Sequence, residues 1–114
     1  MNTNERTSDT NGIIISNDVI ASISMEAAKD VDGFSSFGVR TSSSKKAVRV
    51  TTLDNDIRVQ MYIRVTENAN IQDVSMAIQR SVKNAVQSTT GKVVSKVNVC
   101  VQGIDFNAPK ETED

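Results

Sequence analysis

The hydrophobic residues of this chain recur with two periods, one helical and one alternating, and each period predicts a different kind of element. Two stretches have helical spacing. The first predicts a helix over residues 17–32, capped by Ser16 or Asn17 and ended by Gly33. Its apolar stripe consists of Val19, Ile20, Ile23, Ala27 and Val31. The second predicts a helix that follows the capping residue Asn70 and ends at Thr89-Thr90-Gly91. Its stripe consists of Ile71, Val74, Ile78, Val82 and Ala85.

Three longer stretches alternate between apolar and polar residues, as half-buried strands do. The longest covers residues 57–66 and follows a similar run at 47–53. Asp54 and Asn55 lie between them and tolerate the left-handed backbone of a tight turn, so the two runs predict a β-hairpin. The last predicted strand lies within residues 92–104.

Two shorter stretches complete the predicted order of elements. Residues 12–16 (GIIIS) are β-branched and predict a strand, and residues 34–39 (FSSFGV) are ambiguous, with a short strand favoured over a loop. The order is then strand, helix, strand, hairpin, helix, strand. It predicts an α+β fold, a two-layer sandwich in which two helices pack on one face of a mixed β-sheet containing a central hairpin.

The length of 114 residues indicates a single domain, predicted at residues 12–104. Residues 1–11 form a polar N-terminal segment and residues 105–114 an acidic C-terminal one. Both contain too little apolar surface to offset the entropy of an ordered chain, and we expect them to be disordered. The polar stretch 41–46 is predicted to connect two strands.

The charge and the cysteine content narrow the class of protein. The chain carries 13 basic and 14 acidic residues, and a net charge of -1 gives no overall attraction to nucleic acid or anionic lipid. One cysteine cannot form an intramolecular disulfide. There is no signal-peptide pattern and no apolar stretch near the ~20 residues of a membrane span. We therefore expect a cytoplasmic protein that reaches a membrane only through another molecule.

Candidate chemistry is sparse. The chain has no histidine, which excludes a Ser-His-Asp triad, a Cys-His pair and a histidine zinc site, so no catalytic residue, cofactor, metal or small-molecule substrate is predicted. Asp54 and Asp56 could bind a divalent ion, but aspartates are common in turns and the turn interpretation is favoured. Cys100 could sense redox state, but a plain small side chain is favoured. An enzyme outside these motifs ranks third among the functional hypotheses.

The predicted sheet has one more informative feature. If the valines of its main strands face the helices, the opposite face carries four cations and no carboxylate. That face consists of Arg49, Thr51, Arg58, Gln60, Tyr62, Arg64, Lys96, Asn98, Cys100 and Gln102. It is either an ordinary solvated face or a binding face for an acidic protein surface, a second copy's tail or nucleic acid. Proteins that bind nucleic acid through such a sheet usually place several aromatic side chains on it for base stacking. Only Tyr62 is available here, so nucleic acid ranks below protein as the expected partner. The candidate partner-binding residues are Arg49, Arg58, Tyr62, Arg64, Lys96 and Asn98.

Two long segments resemble a known family. They are GIIISNDVIASISMEAAKDVDGF at 12–34 and KAVRVTTLDNDIRVQMYIRVTENANIQDVSMAIQRSVKNAVQSTTGKVVSKVNVCVQGI at 46–104. The most specific part is the succession Ile78-Gln79, Thr90-Gly91 and Val97-Asn98-Val99. Together the segments are similar to the alkaline shock protein family, the envelope stress response and general stress proteins of mainly Gram-positive bacteria. Two steps depart from the family pattern and leave the subfamily open, at 46–47 and 66–69.

The resemblance implies a non-enzymatic protein of the cytoplasm, concerned with cell-envelope homeostasis. Some members of the family self-associate and reach the membrane through a separate anchor protein. We therefore expect a homo-oligomer that acts as a scaffold or interaction module, with a membrane-anchor protein as a candidate partner. The alternative hypothesis is a small nucleic-acid-binding module that uses the cationic sheet face. The resemblance transfers no catalytic or ligand residue to this chain.

Overall fold

The computed structural model describes residues 13–38, 47–54 and 56–106. Predictions for residues 1–11, 41–46 and 107–114 lie outside them. The elements, in chain order, are α1 (Asn17–Lys29), β1 (Phe34–Phe37), β2 (Val48–Leu53), β3 (Asp56–Thr66), α2 (Ile71–Thr90) and β4 (Val93–Asp105). The predicted class is confirmed, because both helices pack on one face of a four-stranded mixed sheet.

The sheet is organised around β3, which pairs along both of its edges. One edge pairs antiparallel with β2 opposite residues 56–61 and then with β1 opposite residues 63–65, so β2 and β1 lie end to end. The other edge pairs with β4 in parallel along its whole length. α2 provides the crossover that a parallel connection needs, because it carries the chain from the end of β3 back to the start of β4.

The core is the face of β3 that meets the helices. Its five alternating side chains are each at most 1% exposed: Ile57, Val59, Met61, Ile63 and Val65. They pack against Ile20 and Ala28 of α1 and Ile78, Val82 and Val86 of α2. At about 1.5–3 kcal/mol for each large apolar side chain, this single strand contributes on the order of 10 kcal/mol of burial free energy. The long alternating run in the sequence is therefore the main determinant of the fold.

The hairpin and the helix caps form where the sequence predicts them. Leu53 pairs with Asp56 across the turn between β2 and β3, and Asp54 adopts a left-handed φ of 56°. The Asn70 side chain accepts a 3.0 Å hydrogen bond from the Asp73 backbone N–H, and α2 ends at Gly91 with φ 74°. These local predictions are confirmed.

The N-terminal cap is resolved in favour of Ser16, but α1 is shorter than predicted. The Ser16 hydroxyl accepts a 3.2 Å hydrogen bond from the Val19 N–H. The helix ends at Lys29 rather than at residue 32. The Gly33 carbonyl accepts a 2.9 Å hydrogen bond from the Thr66 N–H at the end of β3. This tertiary contact requires the chain to leave the helix early and turn toward the sheet.

The ambiguous stretch at 34–39 forms β1, but the strand predicted at 12–16 is wrong within the described residues. Ile13–Ser16 have no strand partner there, and the Ile14 side chain is 92% exposed. Three isoleucines favour an extended backbone, yet β propensity does not itself supply a neighbouring strand with free hydrogen-bonding groups.

We predict that Gly33→Ala destabilises the protein by about 2–4 kcal/mol, measured by urea denaturation. Gly33 has φ +95°, and a methyl group there would overlap Cγ2 of Val74 in α2. Gly91→Ala is the matched control, since Gly91 has a similar φ of +74° but open space around its Cα. We expect that control to cost only about 1 kcal/mol. Equal losses for the two variants would contradict the packing argument.

Candidate functional site

The face of the sheet opposite the helices gathers the candidate residues on one surface. Along β3 the side chains that alternate with the core are Arg58, Gln60, Tyr62 and Arg64. The parallel register with β4 places Lys96 beside Arg58, Asn98 beside Gln60, and Cys100 beside Tyr62. The antiparallel register with β2 places Arg49 beside Gln60. We call this surface the open face.

Three cations of the open face lie on neighbouring strands. Arg58 of β3 is directly beside Lys96 of β4, and Arg49 of β2 is diagonal to Arg58, opposite Gln60. We call them the cation row. All three residues are exposed. Arg58 and Lys96 are direct neighbours in the register, and like charges in that position repel each other. The Asp56 carboxylate lies 3.6 Å from the Arg58 guanidinium and offsets only part of this repulsion. Within the described residues, Arg49 and Lys96 have no ion pair.

The open face also carries two carboxylates, which corrects the expectation that it has none. Asp56 was expected in the turn but is the first residue of β3, and its side chain reaches Arg58 on the same face. Asp105 was expected in the acidic C-terminal segment but is the last residue of β4. The net positive charge of the face is therefore smaller than the sequence pattern indicates.

Asp105 of β4 joins its own strand to β3 and β1. One of its carboxylate oxygens lies 2.6 Å from the Arg64 guanidinium on β3. The other accepts hydrogen bonds from the hydroxyls of Ser35 (2.6 Å) and Ser36 (3.1 Å) on β1. The Arg64 guanidinium lies directly over Gly103, where a methyl group would come within 2.6 Å of it. Arg64 is thus engaged within the sheet, and its predicted role in partner binding stays a prediction.

These contacts also lower the pKa of the Asp105 carboxyl group. The Ser35 hydroxyl, the Arg64 guanidinium and the Ser36 hydroxyl together lower the pKa of Asp105 below its ordinary value of 3.8. Asp105 therefore remains ionised at neutral pH. Strict alternation along β4 would place Asp105 on the helix side of the sheet. The register shift between Val101 and Gly103 returns it to the open face, so the sequence pattern gave no signal for this role.

The centre of the open face is polar and largely self-satisfied. The Gln60 amide donates a 2.5 Å hydrogen bond to the Tyr62 hydroxyl. The Gln102 side chain reaches over β3 to the Cα of Gly38, a space that a methyl group would fill. Cys100 is exposed with a free thiol. Asn98 is exposed and its side chain makes no hydrogen bond to a described residue.

A shallow groove of about 280 Å³ lies where the cation row meets the outer edge of β4. It is lined by Gln79, Lys83, Val94, Ser95, Lys96, Val97 and Asn98. None of these is a carboxylate, so the groove offers no acid–base pair. In the described parts of the chain, no group of three or more His, Cys, Asp or Glu residues could hold a metal ion. None of the described helices is both long and apolar enough to cross a membrane.

Comparison with models of protein families identifies the family of this chain. Residues 5–106 match the model of the alkaline shock protein 23 family, whose described role is a cell envelope-related function. The chain belongs to this family. The resemblance noted from the motifs at 12–34 and 46–104 is confirmed, and with it a role related to the cell envelope. The family model covers all four strands and both helices.

Two relatives from Bacillus subtilis (strain 168) support the same assignment. The protein YloU is 31% identical over 109 residues, which cover 85% of this chain and 91% of YloU. The protein YqhY is 27% identical over 103 residues, which cover 82% of this chain and 76% of YqhY. Both alignments span most of each partner, so the similarity concerns the whole domain rather than one motif.

Solved structures share the fold at low sequence identity. A zinc form of a MamM CTD variant superimposes with a TM-score of 0.53 at 17% identity, covering 82% of this chain and 91% of that one. A second zinc form gives a TM-score of 0.51 at 19% identity, covering 75% and 84%. At these identities the likeness concerns the arrangement of helices and strands alone.

We predict that Asp105→Asn lowers the free energy of unfolding at neutral pH. The variant also loses the part of that free energy which depends on ionisation of Asp105. Because the folded-state pKa is lowered, the carboxylate stabilises the protein above pH 3.8, and this contribution is lost as pH falls from 3.8 through the lowered value. Urea midpoints measured from pH 7 to pH 2.5 should show the wild type above the variant, with the difference vanishing at the acidic end. Asp32→Asn, at an exposed position, is the control and should follow the wild type throughout.

Proposed function

We propose that this protein is a non-enzymatic scaffold of the envelope stress response, which self-associates and uses its open face to dock on an acidic protein surface. The single observation that carries the docking half is the cation row. Three exposed cations lie on adjacent strands of a chain whose net charge is -1. Such a row attracts an anionic surface and sets its orientation, because complementary charge governs the encounter and register of partners.

The pairing of Arg64 with Asp105 indicates which cations of the open face take part in docking. Arg64 is held over Gly103 and neutralised, so its removal would damage the sheet before it affected a partner. Arg49, Arg58 and Lys96 are exposed and carry the interaction in this proposal. Asn98 adjoins Lys96 in the groove and Tyr62 lies beside Cys100, so both border the docking surface.

The proposed partner is an acidic protein segment on the cytoplasmic side of the membrane, such as part of a membrane-anchored protein. The family's cell envelope-related function supports this choice. The absence of histidine, which excludes a Ser-His-Asp triad, a Cys-His pair and a histidine zinc site, supports the non-enzymatic half of the proposal. In this proposal the protein works at the membrane only through that partner.

We predict that the double variant Arg58→Glu/Lys96→Glu loses its docking partner. Tagged protein would be used to recover partners from detergent-solubilised membranes, and the affinity for the purified partner would then be measured at several salt concentrations. We expect a loss of about tenfold or more in affinity, and a wild-type affinity that falls with added salt.

The matched control is Lys29→Glu/Arg80→Glu, which changes the net charge equally but acts on the helix layer. It should bind the partner as the wild type does. If both double variants lose the partner to the same degree, the interaction depends on net charge and not on the open face. If neither loses it, the docking proposal is wrong.

The alternative function, a nucleic-acid-binding module, is favoured by the same cation row and is separable by experiment. Fluorescence polarisation with single-stranded RNA and DNA oligonucleotides at low salt is the measurement. We expect no binding, since Tyr62 is the single aromatic residue among the described residues of the open face. Binding that falls steeply with salt and disappears in Arg58→Glu/Lys96→Glu would establish the alternative instead.

A further inference from the structure

The outer edge of β4 is a long strand edge with few partners. β4 has 13 residues and pairs with β3 along one edge, and no described strand pairs with the other. Two glutamines of α2 satisfy part of that outer edge. The Gln79 amide donates a 3.1 Å hydrogen bond to the Val97 carbonyl, and the Gln87 side-chain oxygen accepts a 3.0 Å bond from the Val94 N–H. Beyond Val97, α2 supplies no such cap.

The next peptide groups along this edge point outward. The Val97 carbonyl meets a helix side chain rather than β3, which shows that it faces away from the sheet. The register between β3 and β4 is regular from Lys96 to Val101, so the outward direction alternates without a shift. The N–H and C=O groups of Val99 and Val101 therefore also point away from β3. Among the described residues, none pairs with them.

An apolar side chain flanks these free groups. α2 runs antiparallel to β4, because Gln87 lies at Val94 and Gln79 lies at Val97. Met76, one turn before Gln79, therefore lies beside Val99. Met76 is 48% exposed, and Val99 and Val101 are half-buried. Free peptide groups next to exposed apolar side chains are the features of an edge that accepts an added strand.

The same chain contains an apolar segment that lacks a strand partner in the described structure. Ile13–Ile15, which we call the isoleucine arm, consists of three β-branched residues before α1. The Ile13 and Ile14 side chains are 65% and 92% exposed, and Ile14 is the most exposed large hydrophobic residue of the described chain. Ile15 is half-buried against the core of its own molecule, so Ile13 and Ile14 are the part of the arm that is exposed to a second copy.

The arm cannot reach the β4 edge of its own molecule. Asn17, at the start of α1, is tied to β2 by a hydrogen bond to the Val50 carbonyl (3.3 Å) and one from the Thr52 hydroxyl (2.9 Å). β2 and β4 flank β3 on opposite sides, so the outer edge of β4 lies more than about 10 Å from β2. Ile15 is two residues and Ile14 three residues before Asn17, so at roughly 3.5 Å a residue they reach at most about 7 and 10.5 Å from it. Val99 is farther away than this, because it lies level with Val48 rather than with Val50.

We infer that the isoleucine arm of one copy adds as a strand to the outer edge of β4 in a second copy. Main-chain groups of the arm pair with Val99 and Val101, and Ile14 is removed from water beside Met76 and Val99. The inference deepens the self-association half of the proposed function and rests on it. It involves a different surface from the cation row, so the two can fail independently.

The experiment is sedimentation velocity over a protein concentration series up to about 1 mM. Ile14→Lys removes the apolar contact of the arm, and Val99→Pro removes an outward N–H while leaving the pairing with β3 intact. Each should weaken self-association at least tenfold. Leu53→Lys, at a 54% exposed residue of the hairpin, and Val99→Thr, which keeps the N–H, are the controls and should associate as the wild type does.

A mixing experiment gives the decisive result. Ile14→Lys keeps an intact edge and Val99→Pro keeps an intact arm, so the two variants should associate when mixed although neither associates alone. Met76→Lys replaces Val99→Pro as the edge variant if circular dichroism shows that the proline variant is unfolded. Mixing that restores nothing, or variants that associate like the wild type, would overturn the arm–edge contact while leaving the docking face untouched. A wild type that stays monomeric at 1 mM would overturn both the contact and the self-association half of the proposed function.

Discussion

The burial of alternate side chains along β3 is the constraint on which the rest of the structure depends. Ile57, Met61 and Val65 mark the ends and middle of one continuous apolar face, and both helices cover it. Because a strand's side chains alternate with period two, the same eleven residues place Arg58 and its polar neighbours on the opposite face. A core face and an exposed polar face are thus two consequences of one pattern. A register slip of one residue would exchange them, which makes the pairing of β3 strongly specified.

Asp105 adds charge and hydrogen bonds to the apolar packing at the far end of this sheet. Its carboxylate joins Arg64 on β3 to Ser35 and Ser36 on β1, so charge and hydrogen bonds close the sheet where β1 is only four residues long. Partly shielded charge-assisted bonds of this kind are stronger than neutral ones. The arrangement also explains the distribution of charge on the open face. Its Arg64 end is neutralised, while its other end keeps the cation row accessible.

The open face and the outer edge of β4 are separate surfaces that meet at Lys96 and the groove beside it. A partner on the cation row contacts side chains, whereas an added strand contacts main-chain groups at Val99 and Val101. In the proposed assembly, one copy therefore engages a partner and a second copy at the same time. The family's cell envelope-related function is consistent with a protein whose activity consists of contacts.

The sequence by itself determined the elements and their class. The hairpin with its Asp54 turn, the Asn70 cap and the core face of β3 follow from periodicity and local hydrogen bonding, which act over a few residues. The tertiary structure decided the rest. It ended α1 early through the bond between Gly33 and Thr66, left the isoleucine arm without a strand, and brought Asp105 to Arg64 across 41 positions of sequence. Each of these outcomes depends on which distant backbone or charge is available as a partner, and a local pattern carries no information about that.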